Sequence, residues 1–282
     1  MRAESLHQMD SRGNPKRRGF AMRIPVSKRF LVNCVVSGIG AAFLLSASCL
    51  LKTTTPIPSH SHFGPEPARH CIVYLVGRGD HPRAFSQNGL LDILSDKGIS
   101  SDVIEVNSHF GYYANRSLLE RLNQDIFPAI ETRSYEKTLF VGNSLGGLGS
   151  LLYAQEHPDR VDAIVLMGPY LGNERVIREI TEAGGVAAWE GPVEPGKADW
   201  QRQLWLWIKK VTTLDEPGPD IYLIYGNTDR FKAGHALLAA VLPKGRVWEV
   251  DGGHDWDAWR AGWSTFIETD AAQLASAGGT SE

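Results

Sequence analysis

Cysteine is scarce in this 282-residue sequence, with three residues at positions 34, 49 and 71. Cys34 and Cys49 fall within an apolar N-terminal run, which leaves Cys71 alone in the body of the chain and excludes a disulfide framework. No cysteine spacing suits a metal. His60, His62 and His70 with Glu66 come nearest to a ligand set, but they lie in a Pro- and Ser-containing stretch where histidines arise by chance, and neither a metal nor a cofactor is expected. An excess of charge is also missing: 29 Lys and Arg face 32 Asp and Glu. The balance hides an asymmetry, because residues 1–29 carry eight basic and two acidic side chains, net +6, so that the total of −3 leaves −9 on the rest. A body of that sign does not attract nucleic acid. Internal repeats are absent, and 43% hydrophobic with 22% charged residues is a globular composition rather than a disordered one.

The N-terminus reads as a targeting segment. Residues 30–51 hold no charged side chain, and Arg23, Lys28 and Arg29 stand directly before them, the order of an export signal. The run is long enough to span a bilayer, yet Asn33, Ser37, Gly38 and Gly40 suit a cleaved segment equally well. Its end, LSASC, resembles a bacterial lipobox with Cys49 as the residue that takes the lipid, although Ser46 stands where that pattern has Leu. Lipoprotein, cleaved signal peptide and uncleaved anchor therefore remain open. All three place the chain in the cell envelope, exported and held at a membrane through its N-terminus, or periplasmic. Met22 followed by RIPVSKRF reads as a natural start of the targeting segment, and residues 1–29 are read as a basic arm outside the fold. Residues 52–69 contain Pro56, Pro58, Pro65 and Pro67 and read as an extended linker, and residues 277–282 as a flexible tail.

Between these ends, apolar runs alternate with helical patterns. Strand signals occur at 71–76, 101–106, 138–141, 163–167, 221–225 and 247–250; helical spacing occurs at 85–97, 118–130, 145–157, 232–242 and 256–274. Such alternation predicts an α/β domain over 70–276, with a mostly parallel six-stranded sheet and helices on both faces. Residues 171–219 break the rhythm with a Gly- and Pro-rich stretch and the run WQRQLWLWIKK, which reads either as a small cap insertion or as a connecting helix packed on the sheet. As a cap it would offer Trp205 and Trp207, together with Tyr170, as walls of a substrate cleft.

GNSLGG at 142–147 holds the one G-x-S-x-G of the chain. The string alone is weak in a glycine-rich sequence; its placement is what persuades. TLFV leads into Gly142 and LGGLGSLLYAQEH leaves as a helix, so Ser144 stands on a strand-to-helix turn, where a hydroxyl is presented at the carboxyl end of the sheet. Helix N-termini leave N–H groups unpaired, which makes Leu145 a donor to a developing oxyanion. A second donor is expected from VGRGDH after the first strand, at Arg78 or Gly79. A serine hydroxyl needs a base, and the base needs an acid behind it. His254 follows the strand ending at Val250 and Asp229 follows the strand ending at Tyr225, both at the sheet edge that carries Ser144. Asp251, Asp255 and Asp257 are rivals for the acid, but they share the loop of His254 and would have to fold back to reach its ring.

With nucleophile, acid and histidine in that order, residues 71–274 resemble the α/β-hydrolase family. The resemblance implies a Ser144–His254–Asp229 triad, a covalent acyl-enzyme and hydrolysis by water. GGHDWDAWR is similar to esterases of that family, which favours a small-molecule carboxylic ester as substrate. Thioesterase, acyltransferase and peptidase chemistry on the same triad, or a silent membrane-tethered binding module, are the competing readings. Two departures from the family pattern stand out: no antiparallel strand pair precedes Cys71, and the oxyanion loop lacks the common His-Gly pair.

Overall fold

Four apolar runs, at β2 (His70–Leu75), β4 (Lys137–Asn143), β5 (Ala163–Met167) and β6 (Asp220–Gly226), form the centre of the sheet. They read as near-continuous hydrophobic segments because both of their faces are covered, as parallel sheets require. Alternation still sorts the side chains: Val73 and Leu75 enter one core, Ile72, Tyr74 and Val76 the other. With β1 (Ser59–His62), β3 (Ser101–Val106) and β7 (Val247–Val250) the strand order is β1-β3-β2-β4-β5-β6-β7, parallel except for β1. The structure is a computed structural model that describes residues 52–276, Lys197 and Asp215 excepted. The expected basic arm, the apolar segment 30–51 and the tail 277–282 lie outside the described residues. Among the described residues no helix is long and apolar enough to cross a membrane.

One face of the sheet is covered by α1 (Ala84–Gln87), α2 (Leu90–Asp96) and the last helix, numbered α10 below, through Phe85, Leu90, Trp263 and Phe266. The other carries α3 (Phe110–Ala114), α4 (Leu118–Arg121), which runs through a π-turn into α5 (Phe127–Arg133), and α6 (Leu145–Glu156). That face also receives α7 (Glu174–Glu182), α8 (Trp200–Thr213) and α9 (Lys232–Ala239), while α10 spans Trp256–Ser276.

The sheet has seven strands where the sequence predicts six, and the additional one lies in the stretch read as a linker. β1 is the segment SHSH, paired antiparallel with β3 from Ser59↔Val106 to His62↔Val103. It carries no apolar residue, so no hydrophobic alternation announces it. Hydrogen bonds hold it instead. His62 Nε2 lies 2.8 Å from Glu105 Oε2, Gly64 N donates to Asp102 Oδ1 at 3.2 Å, and Ile57 N donates to Asp125 Oδ2 at 2.8 Å. Ile57 itself is buried, and Tyr112 Oη donates to Thr54 O at 3.0 Å. Residues 53–64 are thus a strap stitched to the domain.

The insertion at 171–219 forms α7 and α8, whose Ile177, Ile180, Leu204, Trp205 and Ile208 join the core of that sheet face. Trp205 is 0% exposed and its Nε1 donates to Leu171 O at 2.9 Å, so it packs the helix onto the domain and is not a wall of a cleft. Trp207 is half-buried against the same core. Residues two apart on a helix point about 200° from each other, so the two could never have faced one cavity. Trp200, at the start of α8, takes the position expected of them.

Candidate active site

β4 ends at Asn143 and α6 begins at Leu145, which leaves Ser144 alone to make the turn, with φ 51° and ψ −113°. A non-glycine residue in that region is strained and persists only when its surroundings fix it. The surroundings here are backbone: Ser144 N donates to Met167 O and Tyr170 N donates to Ser144 O, each at 2.9 Å. A Cβ on Gly142 would stand 2.4 Å from Gly146 C, and one on Gly146 would stand 1.9 Å from Leu75 O, so both positions admit only glycine.

The turn delivers the hydroxyl to His254. Ser144 Oγ and His254 Nε2 are 2.9 Å apart, and His254 Nδ1 and Asp229 Oδ2 are 2.8 Å apart. The other oxygen, Oδ1, accepts from Phe231 N at 2.8 Å. The Asp229 side chain is 0% exposed and that of His254 is 8% exposed. Burial acts most strongly on Asp229 and opposes its charge. The hydrogen bonds from His254 and Phe231 N, with the fields of His235 and His254, outweigh it and hold the carboxyl below the usual range. An ionised carboxylate on Nδ1 fixes the imidazole as the tautomer with a proton on Nδ1 and a lone pair on Nε2, toward Ser144.

Phe231 and Trp259 present their rings edge-on to the imidazole, each 5.0 Å away and at 87°. Behind it, Gly168 has φ 52°, and a Cβ there would come within 2.8 Å of Asp229 Oδ2 and 3.2 Å of His254 Nδ1. Phe231, Trp259 and Gly168 were not singled out from the sequence. GPY directly after a strand was the signal available for the glycine.

The other acids are engaged elsewhere. Asp251 accepts from Asn227 Nδ2 at 2.7 Å, Asp255 accepts from Gly253 N and Ala258 N, and Asp257 lies in the first turn of α10. Of the other histidines, His235 lies in α9 with Nε2 2.9 Å from Pro169 O. His109 Nδ1 accepts from Gly111 N to cap α3, and His81 Nδ1 accepts from Arg83 N. No group of three or more potential metal ligands occurs among the described residues.

The expected oxyanion donors lie at the start of α6 and in the loop after β2. Leu145 is the first residue of α6, whose leading N–H groups have no intrahelical partner. Arg78 and Gly79 occupy the centre of a turn closed by Asp80 N donating to Gly77 O at 3.3 Å, with Gly79 at φ 87°, as a type II turn requires. Among the described residues neither Arg78 N nor Gly79 N has a hydrogen-bond partner. Asn143, which the sequence reading passed over, reaches this turn from the nucleophile's own strand.

Two cavities adjoin the site and share Tyr170. One, of about 650 Å³, is lined by Phe110, Tyr113, Leu145, Leu148, Leu152 and Trp200, with Arg116 and Glu156 also on its wall. The other, of about 430 Å³, includes Leu171, Ile177, Arg230 and Phe231. Both lie within the size range of small-molecule sites.

Comparison with known proteins agrees with the fold. No curated protein matches the chain in sequence. The solved structures of Est1E from Butyrivibrio proteoclasticus and of the substrate-bound, fluorophosphonate-binding serine hydrolase FphF from Staphylococcus aureus each superpose with a TM-score of 0.52. Identity is 17% for Est1E, covering 79% of this chain and 97% of that one, and 13% for FphF, covering 77% and 94%. S-formylglutathione hydrolase from Staphylococcus aureus gives 0.50 at 15% identity, covering 72% and 81%. The family model for the alpha/beta hydrolase fold matches residues 95–274, well over half of the sequence, and the chain belongs to that family.

Proposed function

We propose that the protein is a serine hydrolase that cleaves carboxylic esters with Ser144 as nucleophile, His254 as general base and acid, and Asp229 as the carboxylate behind it. The observation that carries this reading is the unbroken hydrogen-bonded line from Asp229 through His254 to Ser144 on a strained strand-to-helix turn. Ser144 Oγ attacks the ester carbonyl as its proton passes to His254 Nε2. The carbonyl oxygen gains a negative charge and accepts hydrogen bonds donated by Leu145 N–H and by an N–H of Arg78 or Gly79. Collapse breaks the acyl–oxygen bond, and His254 returns the proton to the departing alkoxide. Water then attacks the acyl-serine by the same route and releases the acid.

The proton route sets the substrate's direction. Phe231 packs on His254 and lines the smaller cavity, so the leaving group, which His254 must protonate, lies on that side. Leu145 lines the larger cavity, so the acyl group, whose carbonyl oxygen faces Leu145 N–H, lies there. Phe110, Leu148, Leu152 and Trp200 suit an apolar acyl group. A fluorophosphonate probe should label the wild-type protein at Ser144, and Ser144→Ala should remain folded, escape labelling and lose about four to six powers of ten in kcat. Activity retained by Ser144→Ala would overturn the assignment. A screen of matched esters, thioesters and amides over acyl length tests the bond; faster turnover of thioesters or amides would replace the ester reading.

The N-terminal sequence supports export and attachment to a membrane through residues 30–51, with Cys49 as the residue that would carry a lipid. Fractionation of the full chain should place it with membranes and open to protease from outside the cytoplasm. Fatty-acid labelling present in the wild type and absent in Cys49→Ser would identify the lipoprotein form; a cytoplasmic soluble chain would refute export.

A further inference from the structure

We infer that Asn143 and Asp80 are positioning residues, which clamp the turn at 77–80 at both ends and so set where the N–H groups of Arg78 and Gly79 stand relative to Ser144. The inference rests on the hydrolase reading above and adds to it the device that holds half of the oxyanion site.

The Asn143 amide is 0% exposed and every polar atom on it is used. Its Oδ1 accepts from Tyr74 Oη at 2.6 Å and from Gly77 N at 2.8 Å, while its Nδ2 donates to Asp80 Oδ2 at 2.6 Å. Two donors face the oxygen and a carboxylate faces the nitrogen, so the amide has one orientation only. Burial first, then the nearby charges of Asp80 and Glu105, push the Tyr74 hydroxyl well above its ordinary range, so it remains a donor throughout the working pH range.

Gly77 and Asp80 are the first and last residues of the turn. One amide therefore grips both its ends, and the main-chain bond from Asp80 N to Gly77 O closes it. The fit also explains Gly77, where a Cβ would stand 2.5 Å from Asn143 Nδ2 and 2.6 Å from Asp80 Oδ2. Asp80 Oδ1 further accepts from Trp256 Nε1 at 3.4 Å, which ties the turn to the segment that carries His254.

Asn143 is covalently joined to Ser144. A turn anchored on Asn143 is anchored on the nucleophile's own strand end, so nucleophile and oxyanion donors keep register even if neighbouring loops shift. Donors aimed at the oxyanion act on the transition state, whereas ground-state binding draws on the cavities. A loosened clamp must therefore lower kcat and leave KM nearly unchanged. A purely structural role for the pair predicts a lower melting temperature with unchanged kcat for the molecules that fold.

The test uses three variants, with kcat, KM and melting temperature measured on a short-chain ester. Asn143→Asp replaces the donor facing Asp80 with an oxygen, so two carboxylates repel across the clamp. It should lose about 10²–10³ in kcat, the loss typical of one oxyanion donor, with KM within about twofold of wild type. Adding Asp80→Asn supplies the missing donor from the other side and should recover at least about tenfold of that loss, as coupled neighbours do. Asp80→Ala, at a half-buried turn position, guards against a folding failure of Asn143→Asp and should lower kcat about tenfold or more by freeing one end of the turn. Wild-type kcat in folded Asp80→Ala, or a loss in Asn143→Asp that Asp80→Asn does not relieve, would overturn the clamp. A wild-type protein that neither labels at Ser144 nor turns over any ester would instead overturn the hydrolase reading, and with it any role for the clamp in catalysis.

Discussion

The turn at 142–147 and the strap at 53–64 are both short segments, and they are held in opposite ways. The turn is held by exclusion: Gly142 and Gly146 sit where a Cβ would enter neighbouring backbone, and Ser144 is strained so that its hydroxyl stands clear. The strap is held by attraction between polar groups, with Glu105 and Asp102 as anchors beneath it. Glu105 accepts from Ser86 N and Oγ beside His62, and Asp102 accepts from Arg133 Nε at 3.0 Å and Tyr135 Oη at 2.6 Å. Exclusion tolerates almost no change of residue, while a polar ladder tolerates many as long as the backbone pairs. A motif search finds the first kind of segment and misses the second.

If this contrast holds, a change to the triad acts on rate, a side chain forced into the turn's backbone acts on folding, and changes around the strap act on folding with the rate per folded molecule kept. Asp229→Asn gives the largest effect expected. The amide cannot hold the same imidazole tautomer, so kcat should fall by about 10⁴ with little change in melting temperature. Nearly full activity in Asp229→Asn, with Asp255→Asn dead, would move the acid to Asp255. Gly146→Ala comes next: its Cβ would meet Leu75 O at 1.9 Å, and since backbone must shift to admit it, a loss of more than about 3 kcal/mol in urea unfolding is expected. A folded, fully active Gly146→Ala would show that the turn has room the structure denies.

The strap should give the reverse signature. A chain beginning at Lys52 keeps β1, whereas one beginning at Pro65 leaves Asp102 and Glu105 without their strap partners. The shorter chain should be destabilised by about 2–5 kcal/mol, with kcat per folded molecule unchanged. Equal stability of the two chains would return residues 52–69 to the status of a linker. His62→Ala alone, which leaves the Ser86 bonds to Glu105 in place, should cost only about 1 kcal/mol.

The smallest effect concerns pH. His235 is fully buried, and burial pushes its imidazole below the ordinary value of 6.5 despite the opposing pull of Asp229. The unfolded chain therefore binds a proton that the folded chain refuses. Stability from this group is complete above about pH 6.5 and is lost as pH falls toward the folded value. Unfolding free energy measured from pH 7.5 to 5.5 should fall less steeply in His235→Gln than in wild type; equal slopes would remove His235 from the acid response.

Much of the domain was legible because its information is local. β2, β4, β5 and β6 are buried on both faces and must be written as apolar runs, and α6 follows from the glycine-bounded turn before it. The insertion was legible only as an interruption. WQRQLWLWIKK carries its tryptophans at positions whose facing depends on where the helix starts, and only the packing of α8 separated the buried Trp205 from Trp200 on the cavity wall. β1 was invisible because SHSH pairs through backbone groups that every sequence possesses.

By itself, then, the sequence determined which residues had to be small, which segments had to be buried, and the order in which serine, acid and histidine reach one sheet edge. These are constraints that a side chain carries regardless of its partners. The tertiary structure alone decided the pairings: His62 with Glu105, Asn143 across the turn to Asp80, and Trp205 into the core. Those depend on distances between segments 43, 63 and 34 residues apart, and a hydrogen bond or a contact leaves no mark on a sequence until the fold has brought its two ends together.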